Sequence, residues 1–219
     1  MKDVYIALKA PGEAEFEEKK SRFIGCAAPI KSEEEALSFI KEVKSKYKKA
    51  RHYVYAYNLC TDDGVLISRY SDDGEPQGTA GIPTLTSIQN MNIENAVVVV
   101  VRYFGGILLG ASGLTRAYRK AATLGLGACG IVKKILYDEV LISIDYQMYN
   151  NVKYLLTSGT NEIINKTNFR IIEETFGEDV LIQLYVAVCD TKTICDHIFE
   201  ITQGKASFIV DEKKGRYTE

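Results

Sequence analysis

The sequence predicts an α+β protein built from two two-layer α/β domains, one over residues 1–135 and the other over residues 138–219. The length of 219 residues is the first reason, because it exceeds the usual size of a single domain. The second is an apolar, β-branched run at residues 96–101, which is typical of a strand covered on both faces. The third is the later part of the chain, where strand and helix patterns alternate in the order βαββαβ.

The elements before the apolar run follow from local patterns. Ser32 and Glu35 form a capping box that predicts a helix start, and the core face of this helix follows at helical spacing as Ala36, Ile40, Val43 and Tyr47. A strand is predicted over residues 52–60, where tyrosines alternate with smaller side chains. The sequence Asp62-Asp63-Gly64 predicts a hairpin turn into a partner strand over residues 65–70.

A first glycine-rich loop follows at residues 71–83 and contains Asp72, Asp73 and Glu75. Clustered carboxylates can hold Mg²⁺ or act as a general base. The same residue types are the commonest turn formers, and neither histidine nor lysine lies within the loop to complete an acid/base pair. The pattern therefore favours a loop-locking role for these acids.

A second glycine-rich loop follows the buried strand and leads into a predicted helix. Arg102 ends the strand, Gly105 and Gly106 allow close approach of the backbone to a ligand, and Ser112 is favoured as a helix cap. A basic helix side then carries Arg116, Arg119 and Lys120. Three interpretations stay open: a structural ion pair between Arg102 and acids of the first loop, a surface for phosphate or nucleic acid, and a catalytic pocket. No nucleotide-binding fingerprint of known spacing is present.

The second domain is predicted from one further run of elements. Glycines 159, 177 and 204 fall at the expected connections, which supports the count of elements. The order βαββαβ is that of the ferredoxin-like fold. The predicted elements are strand 140–144, helix 146–156, two strands within 162–174 and 179–188, helix 191–201 and strand 206–210.

Composition and charge limit the possible classes of protein. Hydrophobic residues at 46% and charged residues at 26% are typical of a folded, soluble protein. The start of the chain lacks the pattern of a secretory signal and no apolar stretch is long enough for a membrane span, so we expect a cytoplasmic protein without membrane partners. Five cysteines without paired spacing predict reduced thiols.

The two halves differ in charge. Residues 1–137 carry 19 Lys and Arg against 15 Asp and Glu, whereas residues 138–219 carry 8 against 14. The resulting charges of +4 and −6 favour attraction of polyanions to the first half, although chance variation of surface charge explains the difference equally well.

Three segments resemble the IMPACT/YigZ family: the KSRF sequence at 20–23, the DGEPQGTAG sequence at 73–81, and the stretch from RYFGG at 102–106 to RAY at 116–118. The resemblance spans about residues 1–135, and the acidic second half is similar to the carboxy-terminal domain of the bacterial YigZ branch. It implies a first domain like domain 2 of ribosomal protein S5 and a ferredoxin-like second domain like one in elongation factor G. Eukaryotic members regulate translation, but this chain lacks their amino-terminal RWD domain, so their partner is not transferred.

The leading hypothesis is a cytosolic, translation-associated regulator that binds RNA or the ribosome through its basic first domain. The residues predicted to contact the nucleic acid or another anion are Arg102, Gly105, Gly106, Arg116, Arg119 and Lys120. A phosphate- or nucleotide-handling enzyme that uses the Asp72, Asp73 and Glu75 loop is the alternative from another class, and a protein-interaction adaptor is the third. Neither a cofactor nor a metal is expected.

Overall fold

The computed structural model describes residues 3–61 and 65–211, together with the backbone of Tyr217–Thr218. The chain divides into two compact units, one formed by Tyr5–Lys134 and the other mainly by Ile135–Glu219. Two sheets and five helices make up the described part, so the predicted α+β class is confirmed. The predicted turn at Asp62-Asp63-Gly64 lies outside the described residues.

Sixteen helices and strands are named here in chain order, and a single 3₁₀ turn at Ile164–Lys166 lies between α4 and β8. They are β1 (Val4–Leu8), β2 (Gly12–Glu18), β3 (Ser21–Pro29), α1 (Glu33–Lys46), β4 (His52–Cys60), β5 (Leu66–Ser71), α2 (Gly81–Asn90), β6 (Ala96–Tyr103), α3 (Gly110–Ala128), β7 (Ile131–Ile144), α4 (Tyr146–Thr157), β8 (Phe169–Phe176), β9 (Val180–Ala187), α5 (Thr191–Ile201), β10 (Ser207–Asp211) and β11 (Tyr217–Thr218).

The sheet of the first unit is antiparallel, with the strand order β2-β3-β6-β4-β5. The central strand β6 is buried on both faces, as its unbroken apolar run predicts. Val98 and Val100 pack into the core formed with α2 and α3, whereas Val97 and Val99 pack into the core that contains the apolar face of α1. Helix α1 thereby adds a third layer to this unit, beyond the two that the sequence predicts.

The predicted start of α1 is confirmed in atomic detail. Ser32 Oγ accepts a hydrogen bond from the Glu35 N–H, and Glu35 Oε2 accepts one from the Lys31 N–H. Ala36, Ile40 and Val43 are buried against the sheet. These contacts place α1 on the sheet face opposite α2 and α3.

Two parts of the first unit were not predicted. Strands β1 and β3 are short apolar segments without clear alternation, β2 has only Phe16 as a strong inward residue, and α2 follows directly on the first loop. Among the cysteines, which are all free, Cys26 and Cys129 are buried while Cys189 is exposed. Burial is the main reason that the pKa of Cys26 rises to about 12, so this thiol stays protonated and unreactive at neutral pH.

The second unit has the predicted ferredoxin-like arrangement. Strand β7 pairs with β9 on one side and β10 on the other, and β8 pairs with β9, which gives these four strands the antiparallel order β10-β7-β9-β8. Strands β1 and β11 also pair with β7, so the sheet has six strands in the described part of the chain. Apolar residues of α4 and α5, including Val152 and Ile194, pack with the buried strand residues Val140, Ile142 and Ile182.

Among the described helices, none combines the length and the apolar character required to cross a membrane.

Candidate functional site

The first loop is held closed by Asp72. Its Oδ1 accepts hydrogen bonds from the N–H groups of Ala80 and Gly81 at 3.0 and 2.8 Å, and its Oδ2 accepts one from the Gly78 N–H at 2.9 Å. Because Ala80 and Gly81 begin α2, the carboxylate also satisfies orphan donors at a helix start, where negative charge is favourable.

Asp73 joins the loop to the sheet. Its Oδ2 accepts a hydrogen bond from the Tyr53 N–H at 2.6 Å, and its Oδ1 lies 3.7 Å from Lys44 Nζ. Its backbone oxygen lies 2.8 Å from Nδ1 of His52. Both aspartates therefore have structural partners, and no group of three His, Cys, Asp or Glu side chains in residues 3–61 and 65–211 is arranged to hold a metal ion.

Glu75 forms a buried cluster with Arg102 and Tyr118. Its Oε1 accepts hydrogen bonds from Arg102 Nη1 at 2.5 Å and from the Tyr118 hydroxyl at 2.7 Å, and His52 Nε2 lies 3.7 Å from the same oxygen. The side chains of Glu75 and Arg102 are 4% and 5% exposed. Burial, followed by the negative charge and hydrogen bond of Glu75, raises the pKa of Tyr118.

This cluster changes the interpretation of Arg102. The prediction placed it on an anion-binding surface, but its guanidinium is buried, pairs with Glu75 and lies 5.4 and 5.5 Å from the ring centroids of Phe23 and Phe104. The ion pair with an acid of the first loop, the alternative left open by the sequence, is the observed arrangement. Arg102 is therefore not an exposed phosphate contact.

The two adjacent glycines have different surroundings. An added Cβ on Gly105 would overlap the backbone of Lys20, and the Gly105 N–H donates to Ser21 Oγ at 3.2 Å. Glycine is therefore required at position 105 because the backbone of Lys20 lies against it, and not because a ligand approaches there. Gly106 is exposed, adopts a φ of +86° and has open space around the position of a Cβ.

Helix α3 presents the predicted basic side chains to solvent. Arg116, Arg119 and Lys120 are exposed, and none of the three has a carboxylate partner among the described residues. The helix begins at Gly110, and its cap position Leu109 makes no side-chain hydrogen bond. The predicted cap Ser112 is wrong, because Ser112 lies inside the first turn of the helix.

A cleft of about 260 Å³ lies between the N-terminal half of α3 and the tip of the β2–β3 hairpin, and we call it the α3 cleft. Lys120 Nζ lies 4.3 Å from the ring centroid of Phe16, which is a favourable cation–π distance. The cleft is lined by Phe16, Glu18, Lys19, Leu109, Gly113, Arg116, Ala117 and Lys120.

A second hollow of about 390 Å³, the loop cavity, lies between the two glycine-rich loops and the start of α3. Leu109 lines both it and the α3 cleft, so the two hollows adjoin. Glu75 is the carboxylate of the first loop that lines it, whereas Asp72 and Asp73 bond to backbone groups as described above. Its other lining residues are Arg51, His52, Gly74, Pro76, Arg102, Phe104, Leu108, Gly110, Ala111 and Leu114.

The lysines at the tip of the β2–β3 hairpin have a strained backbone. Lys19 and Lys20 adopt φ angles of 46° and 63°, a region that favours glycine and asparagine and costs other residues about 1 kcal/mol or more. We expect Lys19→Asn with Lys20→Gly to raise the free energy of unfolding by about 1 kcal/mol, measured by urea denaturation. Unchanged or lower stability would show that the turn is not strained.

Lys19 and Phe16 were missed as site residues by sequence reasoning. The available signal for a two-residue hairpin is the Lys19-Lys20 pair between the alternating segment 12–18 and the apolar segment 23–28. That signal is weak because lysine is unusual where both turn residues need a positive φ. Their proximity to α3 arises from the packing of that helix on β2 and β3.

Two family models match the chain. Residues 19–126 match the Impact N-terminal domain, and residues 142–205 match a domain of unknown function (DUF1949). The chain is also similar over 97% of its length to a solved structure described as "Crystal structure of an hypothetical protein", which it covers completely, with 27% identity and a TM-score of 0.58.

Curated relatives cover both units. "IMPACT family member YvyE" of Bacillus subtilis (strain 168) is 35% identical over 98% of this chain and 92% of the relative. "IMPACT family member YigZ" of Escherichia coli (strain K12) is 35% identical over 71% of this chain and 76% of the relative. The mouse protein named "Protein IMPACT" is 33% identical over 42% of this chain and 30% of its own length.

Proposed function

The chain belongs to the IMPACT family, and on that premise we propose that it is a cytosolic, translation-associated protein that binds RNA or the ribosome through its first unit. The α3 cleft is the observation that carries the proposal. Lys19, Arg116 and Lys120 line it against a single carboxylate, Glu18. The resulting excess of positive charge is suited to the phosphates of a nucleic-acid backbone.

The shape of the cleft supports a single strand as the bound form. Phe16 is half-buried and stacks at 5.4 Å on the buried ring of Phe23, which holds it rigidly. The rigid Phe16 ring, packed on Phe23 and covered by Lys120, forms the floor of a narrow cleft, and the exposed cations beside it can follow the phosphates of a single strand. Arg119, also exposed on α3, extends the basic surface beyond the cleft.

The internal bonding of the first loop favours binding over catalysis in this proposal. Asp72 accepts three backbone hydrogen bonds, Asp73 accepts one, and Glu75 pairs with Arg102. A carboxylate committed in this way is poorly placed to hold Mg²⁺ or to remove a proton from a substrate. In the proposal the acidic second unit limits which polyanions approach, because it carries a net charge of −6 over residues 138–219.

We expect the variant Arg116→Ala with Arg119→Ala to bind single-stranded RNA at least about tenfold more weakly at low salt. The slope of log affinity against log salt should fall by about one for each lost phosphate contact. Fluorescence anisotropy with a labelled 12-nucleotide RNA measures both quantities, and co-sedimentation with ribosomes extends the test. Both side chains are exposed, so the fold should be preserved.

The matched control removes the same charge from the opposite sheet face. Lys41 on α1 and Lys48 just after it are exposed, and the control is Lys41→Ala with Lys48→Ala. This variant should bind RNA as the parent protein does. An equal loss in both variants would indicate general attraction by net charge, and absence of binding by the parent protein at low salt would refute the proposed function.

A further inference from the structure

The loop cavity has, in Arg51, a cationic wall residue that the proposed function does not use. Arg51 and His52 line it from β4 and the residue before β4, and Arg102 lines it from the end of β6. The one carboxylate of the wall, Glu75, is already bonded to Arg102 and Tyr118. Arg51 is exposed and therefore adds a positive charge that no described carboxylate neutralises.

The start of α3 supplies further donors to the same cavity. Gly110 and Ala111 line it, and they belong to the first turn of a 19-residue helix that no side chain of its cap residue closes. The first N–H groups of a helix have no partner within the helix and attract anions. Within the cavity wall, Arg102 Nε is buried and has no hydrogen-bond partner among the described residues, so this guanidinium is not fully satisfied by the protein.

The remaining wall is apolar and partly open. Phe104 and Leu108 belong to the loop between β6 and α3 and are 38% and 82% exposed. The Phe104 ring lies 5.4 Å from the Arg51 guanidinium carbon, so an aromatic face and a cation stand together at the cavity. A volume of about 390 Å³ falls within the range of small-molecule sites. A cavity lined by a cation, by helix N–H groups and by an aromatic ring suits an anion attached to a flat ring system.

We propose that the loop cavity binds the 5′-phosphorylated terminal nucleotide of an RNA whose following phosphates lie on the α3 cleft. The inference rests on the proposed function and names the end of the RNA that the site selects. A terminal phosphate monoester carries nearly two negative charges and three acceptor oxygens, so it gains more than an internal diester from a helix start with Arg51 beside it. Leu109 lines both hollows, so a strand that leaves one would pass over this half-buried side chain to reach the other.

The test compares two RNAs of one sequence, a 12-nucleotide strand with a 5′-phosphate and the same strand with a 5′-hydroxyl. The parent protein should bind the phosphorylated strand about tenfold more tightly, the value of one charge-assisted hydrogen-bond set. Arg51→Gln should abolish this preference and leave affinity for the 5′-hydroxyl strand unchanged. Equal affinity for both strands in the parent protein would overturn the inference while leaving the proposed function intact; failure of both strands to bind would instead refute the proposed function.

A second pair of variants distinguishes the effect of an added negative charge at the start of α3 from the effect of a larger side chain. Ala111→Glu places a carboxylate in the first turn of α3, where it suits the helix but repels a phosphate, and Ala111→Gln has the same size without the charge. The glutamate variant should lose the preference for the 5′-phosphate, and the glutamine variant should keep most of it. Equal loss in both would overturn the placement of the phosphate.

A competition experiment distinguishes an RNA end from a free nucleotide. Adenosine 5′-monophosphate should compete only weakly with the phosphorylated strand. Competition as strong as that of the phosphorylated strand itself would make a free nucleotide the ligand and overturn the assignment to an RNA end.

Discussion

Gly125→Ala is expected to lower the free energy of unfolding by about 3 kcal/mol, because α3 touches β3 backbone to backbone at this point. A Cβ on Gly125 would lie 2.6 Å from the carbonyl oxygen of Gly25, and one on Gly25 would overlap the backbone of Ala121. Neither partner is a flexible side chain, so the helix itself must shift. Urea denaturation followed by circular dichroism measures the loss.

Gly127→Ala is the matched control, two residues further along the same helix. Gly127 is exposed and has open space where a Cβ would be added. Alanine is the better helix former by up to about 1 kcal/mol, so this variant should be unchanged or slightly more stable. Equal destabilisation by both changes would show that helix propensity, and not the contact with β3, decides the cost at these positions.

This contact also has a functional consequence. Arg116 and Lys120 line the α3 cleft from the helix, while Phe16 and Lys19 line it from the hairpin. The width of the cleft therefore depends on how closely α3 approaches the hairpin strands. A shift of the helix in Gly125→Ala should weaken RNA binding even under conditions where the variant remains folded.

The elements that could be predicted are those whose pattern of apolar and polar residues matches the burial of these residues in the fold. The run at residues 96–101 is apolar throughout because β6 has a helical layer on each face, and the capping box of α1 acts between neighbouring residues. In the second unit, the alternation along β9 matches its one buried face. Strand β2 could not be recognised in the same way, because its outward residues are glutamates and only Phe16 marks the inward side strongly.

The sequence predicts which residue types form the candidate site, but it does not predict which side chains pair with one another. The exposure of Arg116 and Arg119 follows from helical spacing, which a sequence displays directly. The bond between Arg102 and Glu75 joins residues 27 positions apart, and it depends on the first loop folding back over the end of β6. The sequence left this ion pair and a phosphate contact as open alternatives, since the composition of the loops suits both.

Removing one member of the buried pair is expected to have a still larger effect on stability. Glu75→Leu leaves the Arg102 guanidinium buried without its carboxylate, and Arg102→Met leaves the carboxylate without its cation. Each should cost about 3–5 kcal/mol, because an uncompensated buried charge is retained. Both side chains are at most 5% exposed, so water cannot hydrate the charge that remains. Thermal and urea unfolding of the two single variants measure these costs.

The combined variant separates a structural role from a binding role for Arg102. Glu75→Leu with Arg102→Met leaves the Tyr118 hydroxyl without its acceptor, so Tyr118→Phe is added to remove that buried donor. Replacing these three members of the cluster by apolar groups should restore most of the lost stability. Because the proposed contacts of a 5′-hydroxyl RNA are Lys19, Arg116, Arg119 and Lys120, the triple variant should bind that RNA as the parent protein does. A stable triple variant with RNA affinity reduced tenfold or more would return Arg102 to the phosphate-contact role that its burial argues against.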